Sequence, residues 1–128
     1  DIHAMLFEIA RATGCEDKFK STAEDLARDG FGPNPAFEAL IAHDGDTPVA
    51  LCLYFPSYST FRGKAGIYIQ DLFVAPEYRG GGFARHLITK VAERARTRGM
   101  RHADDERIYV LDGDAFDALI DGPYGACV

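Results

Sequence analysis

A chain of 128 residues can bury one hydrophobic core but not two, so one domain spanning 1–128 with a single site is expected. Its 47% hydrophobic and 27% charged residues exclude a disordered chain, and no apolar run approaches the roughly 20 residues of a membrane-spanning helix. A formal charge of -6 repels phosphate backbones, which argues against nucleic-acid binding, favours a cationic substrate and still allows a local basic patch to hold an anion.

In chain order, Ile2, Met5, Leu6 and Ile9 recur at helical spacing and predict an amphipathic helix over 2–12, stopped by Gly14. Ser21 and Thr22 ahead of Ala23, Glu24 and Asp25 predict an N-cap and acidic first turn for a second helix, which ends near Gly30. A loop through Gly32, Pro33 and Pro35 leads to strands over 37–43 and 49–55, joined at a hairpin turn, Asp44-Gly45-Asp46. Residues 56–64 are polar, aromatic and turn-rich and read as a connection. A third strand over 67–74 is apolar except for Gln70 and Asp71, and Pro76 ends it.

From Phe83 onward, Leu87, Ile88, Val91, Ala92 and Ala95 form a helical stripe. Lys90, Arg94, Arg96 and Arg98 load the end of that helix, where its dipole favours cations, and Gly99 closes it. Residues 107–111 read as a strand, 114–120 as a short helix, and Gly122, Pro123 and Gly125 as a loose tail.

Cys15, Cys52 and Cys127 are odd in number and lack paired ligand spacing, and the opening residues lack the pattern of a secretory signal. Together these predict a reducing cytoplasm with no disulfide framework and no zinc site. His3, His43, His86 and His102 make no pair at ligand spacing either, so no metal is expected.

The chemistry is concentrated between the third strand and the long helix, at Tyr78-Arg79-Gly80-Gly81-Gly82-Phe83-Ala84. Glycines ahead of a helix let the backbone approach a ligand, and the first-turn N–H groups then meet it with the positive end of the dipole. Arg79 adds a forked donor suited to phosphate oxygens. A flexible strand-to-helix turn would also use such glycines. The dinucleotide pattern fails because position 85 is Arg85, and no Gly-Lys-Ser/Thr of a P-loop is present, which leaves a pyrophosphate loop of another kind.

Arg79, Gly82 and Ala84 match a Q/R-x-x-G-x-G/A signature, and by it the chain resembles the GNAT family of N-acetyltransferases. Residues 29–42 and 53–87 resemble its diamine and thialysine acetyltransferase branch. The resemblance implies an α/β (α+β) fold, a mixed and mostly antiparallel central sheet flanked by helices. It implies acetyl-CoA as donor, a small amine as acceptor, direct acetyl transfer and no metal, and it allows for a homodimer. Arg79, Gly80, Gly81, Gly82, Phe83 and Ala84 would hold the pyrophosphate. The backbone of Leu72, Phe73 and Val74 would contact the pantetheine arm and acetyl carbonyl, Gln70 and Asp71 would hold the catalytic positions, and Tyr54, Tyr58 and Phe61 would line the acceptor side.

The match departs from the family in three places. The branch usually has Glu-Asp at Gln70-Asp71, and a glutamine cannot serve as a base. Asp71 could compensate, although strict strand alternation points it away from the face of residue 70. No acid follows Tyr58, which favours a lysine-like amino acid or diamine over spermidine. The segment bearing the family's general-acid tyrosine has no Trp landmark here, and position 121 is Asp121. Residues 107–116 align better with the family's last strand and helix, which implies that a strand-helix unit is missing after Met100 and a first strand before Asp1. A non-catalytic acyl-CoA-binding or regulatory domain is the second reading, and a plain interaction module the third.

Overall fold

The computed structural model describes residues 1–100, so the strand and helix expected over 107–111 and 114–120 lie outside the described residues. Helix α1 (Ile2–Ala12) buries Met5 and Ala10. Helix α2 (Ala23–Phe31) opens on a capping box in which Thr22 Oγ1 accepts from the Asp25 N–H at 3.1 Å and Asp25 accepts from the Thr22 N–H at 2.9 Å. These bonds from Thr22 hold the Asp25 carboxyl below its ordinary pKa.

Strands β1 (Glu38–Asp44), β2 (Thr47–Ser59) and β3 (Lys64–Val74) form an antiparallel sheet in the order β1-β2-β3. Helix α3 (Phe83–Thr97) follows a single 3-10 turn at Pro76–Tyr78. Every residue from Val49 to Tyr54 is buried, since β2 lies between two strands and both its faces are covered. Ala50, Cys52 and Tyr54 pack with Leu87 and Val91 of α3. By strand alternation Val49, Leu51 and Leu53 take the other face, where α1 lies against β2 and β3. The described residues thus form the helix-flanked antiparallel sheet that the sequence implied.

One expectation changes. Residues 56–64 are not simply a connection, because β2 continues to Ser59 and β3 already begins at Lys64. Pro56 is tolerated there because β1 pairs no farther along β2 than Tyr54, so the arm beyond has a strand on one side only. Among the cysteines of the described residues, Cys52 is free and buried. Burial and the neighbouring Asp71 charge push the Cys52 thiol up to about 11, so it behaves as a small apolar core residue.

Leu87 is 4% exposed and anchors α3 to β2. Leu87→Ala should cost about 2–5 kcal/mol of stability in urea unfolding. A loss under about 1 kcal/mol would show that α3 does not depend on this contact.

Candidate active site

The turn after β3 is fastened on several sides before the glycines begin. The Ala75 N–H donates to the Val49 carbonyl at 2.8 Å, extending the β2–β3 pairing by one residue. The Tyr78 hydroxyl donates to Asp44 Oδ2 at 2.9 Å, and its ring meets Phe83 edge-on with centroids 5.9 Å apart. Arg79 Nε donates to the Val74 carbonyl at 3.0 Å, so this guanidinium folds back over the end of β3.

Between these fixed points, Gly80 and Gly82 take φ values of 81° and 84°, a left-handed conformation that suits glycine. A Cβ built at either would meet nothing within 4 Å, which leaves open space for a ligand over both. Gly82 is the N-cap of α3, and the first helical hydrogen bond runs from the His86 N–H to the Gly82 carbonyl at 2.9 Å. The amides of the first turn, through Arg85, therefore have no intrahelical acceptor. A helix of 15 residues aims its positive end at that space. A cleft of about 530 Å³ adjoins the loop, bounded by Gly81, Gly82 and Phe83 on one side and by His43, His86 and Lys90 on others.

Strand β3 carries the other expected residues. Leu53 pairs with Asp71 and Tyr54 with Ile69, so β3 has one residue more than β2 at this point, and Gln70 is that residue. Strict alternation does not hold across it. Ile67 and Ile69 pack into the α3 core, and so do Leu72 and Val74, with two residues rather than one between the pairs. Gln70 is exposed and Asp71 half-buried. Burial pushes the Asp71 carboxyl above its ordinary 3.8. Among the described residues β3 is an edge strand, with β2 on one side and no strand on the other.

The acceptor-side set does not stay together. Tyr58 and Phe61 are exposed on the β2–β3 hairpin, where Tyr68 and Phe55 form a tilted ring pair at 5.2 Å. Tyr54, in contrast, is wholly enclosed beneath α3, and its hydroxyl accepts from Arg94 Nη1 at 2.5 Å. Its ring therefore belongs to the core and does not face solvent. The sequence reading missed the bulge, although the apolar spacing from Ile69 to Leu72 signals it. It also missed the Tyr78–Asp44 fastening, for which no local signal exists.

Because its folded pKa is raised, Asp71 supports stability fully below the ordinary carboxylate range and loses that support as pH rises through the raised value. Asp71→Asn should therefore melt higher than wild type at neutral pH, with a gap that narrows toward pH 3.8 and below. Thermal melts of both proteins across pH check this, and a gap independent of pH would contradict it.

The model of the Acetyltransferase (GNAT) family matches residues 3–105. A thialysine N-epsilon-acetyltransferase from Sus scrofa is 38% identical over 120 residues, covering 88% of this chain and 68% of that protein. A spermidine/spermine N(1)-acetyltransferase-like protein 1 from Homo sapiens is 32% identical over 104 residues, covering 76% of this chain and 15% of that protein. Among solved structures, an aminoglycoside acetyltransferase from an uncultured soil metagenomic sample shares the fold with a TM-score of 0.64 and 22% identity, each chain covered to 88%. The family match takes in the sheet, the glycine loop and the helix it opens, and the chain accordingly belongs to the GNAT acetyltransferase family and is an N-acetyltransferase.

Proposed function

We propose that this chain moves an acetyl group from acetyl-CoA to a primary amine of a small cationic substrate, a lysine-like amino acid or a diamine. The observation that carries the reading is the loop from Arg79 to Ala84, where the left-handed Gly82 turns the backbone into α3 with open space above it. That geometry suits a pyrophosphate, whose charge the first-turn amides of Phe83 and Ala84 would meet. Gly80 and Gly81 leave the approach clear, and Arg79 braces the loop against the end of β3.

The edge of β3 at Leu72, Phe73 and Val74 offers backbone groups to an extended pantetheine arm, in the way an edge strand accepts a new neighbour. Acetyl-CoA supplies the acyl group as a thioester, and the chain's own part is orientation and proton handling. Gln70, extra in its strand and exposed, can orient an amine or a carbonyl through its amide but cannot take a proton. Asp71 can take one, and its raised pKa makes it a better base than an ordinary aspartate. Tyr58 and Phe61 would face the acceptor, where exposed rings attract an ammonium group. The charge of -6 adds a general attraction for a cation. The thialysine relative supports the lysine-like choice.

A second reading, acyl-CoA binding without turnover, is favoured by one observation, the glutamine at position 70. Calorimetry and an amine panel separate the two. Acetyl-CoA should bind, and Gly82→Val, which forces a branched side chain into a left-handed backbone and covers the amides, should weaken binding by about tenfold or more. Equal affinity of the two proteins would remove the loop assignment. Lysine analogues or diamines should be acetylated faster than spermidine, and binding with no turnover on any amine would establish the second reading.

A further inference from the structure

A rung beside the bulge at Gln70 is bonded to the helix that carries the glycine loop. The two rungs that flank it are Leu53–Asp71 and Tyr54–Ile69. An extra residue has no partner of its own across the ladder, so its direction is set by the rungs on either side. The Leu53 rung is held by burial, with Leu53 only 6% exposed. The Tyr54 rung is held by burial and by its hydroxyl, which accepts from Arg94 Nη1 at 2.5 Å and also meets the Glu38 carboxylate. A charged donor on an enclosed acceptor makes such a bond strong and geometrically demanding.

The same rung is extended on β1. Glu38 pairs with Tyr54 across the ladder and takes both Arg98 Nη1 at 3.0 Å and Arg98 Nη2 at 2.7 Å. Arg94 and Arg98 sit one helical turn apart at the end of α3, while Gly82 lies at its start. One helix thus joins the loop to the rung beside the bulge.

We propose that Arg94 is a positioning residue for acetyl transfer: by holding the Tyr54 hydroxyl it fixes β2 at the rung where β3 gains a residue, and so sets the direction of Gln70 and Asp71. The inference rests on the acetyl-transfer reading for what Gln70 and Asp71 do, but the coupling of Arg94 to the bulge stands on geometry alone. It distinguishes Arg94 from Arg96, which has the same charge on the same helix turn but no such bond among those described.

The test uses Tyr54→Phe, which keeps the ring, Arg94→Met, which keeps the length, and Arg94→Lys, which keeps the charge. Tyr54→Phe and Arg94→Met should each lower kcat about tenfold or more while the KM for acetyl-CoA stays within about twofold. The double variant should be no worse than either single one, and Arg94→Lys should recover part of the loss. Amide hydrogen exchange at Gln70 and Asp71 should quicken about tenfold in the two disruptive variants, with Leu51 at the centre of β2 unchanged. A lowered melting temperature with kcat and bulge exchange both as in wild type would show a merely structural contact and overturn the proposal. If wild type fails to turn over any amine, the acetyl-transfer reading falls instead. Exchange then decides the coupling alone: faster exchange at the bulge supports it and unchanged exchange ends it.

Discussion

Six consecutive residues of β2, Val49 to Tyr54, have no face left for water, and the rest of the described structure follows from that constraint. A strand buried on both sides must be central in its sheet and covered above and below. β1 and β3 satisfy its edges, α1 one face and α3 the other. Once Leu87 and Val91 seat α3 against Ala50, Cys52 and Tyr54, the start of that helix must lie near the end of β3, only a short turn away. The positive end of the α3 dipole is thereby delivered to the place where β3 stops. The bonds from Tyr78 to Asp44 and from Arg79 to the Val74 carbonyl then fasten the turn, and glycines permit its path.

Much of this was legible in the sequence because it rests on local rules. The periodicity from Phe83 to Ala95 fixes α3, and the apolar run in β2 fixes the central strand. Thr22 with Asp25 announces α2, and consecutive glycines announce the left-handed turn into α3. What could not be read depends on partners distant in the chain. The length of β2 beyond Phe55 depends on β3 returning alongside it, and residues 56–64 alone suggest only a turn. The bulge lies between these cases. Apolar residues at 67, 69, 72 and 74 carry the phase change, but a rule of strict alternation hides it.

The cations of α3 teach a related lesson. Their clustering near the end of the helix fits the macrodipole, and on sequence alone nothing further is needed to explain them. In the fold three of the four are individually committed. Lys90 pairs with Glu93 at 2.9 Å, Arg94 holds Tyr54, and Arg98 takes Glu38 in two bonds. The Arg98 guanidinium keeps the Glu38 carboxyl below its ordinary pKa. Two of these arginines tie the helix to the sheet, so in a chain of -6 net charge part of the positive charge serves architecture.

The bond from Tyr78 to Asp44 joins groups 34 residues apart, one in the turn before the glycines and the other at the tip of the first hairpin. A short strip of sequence from Tyr78 to Ala84 is therefore not a portable module. Transplanted to another scaffold, it would arrive without the carboxylate that braces its entry and would have to find a substitute. Length changes in the hairpin at Asp44-Gly45-Asp46, which on an ordinary surface turn would be inconsequential, would here be transmitted to the mouth of α3. The two turns form a single mechanical unit.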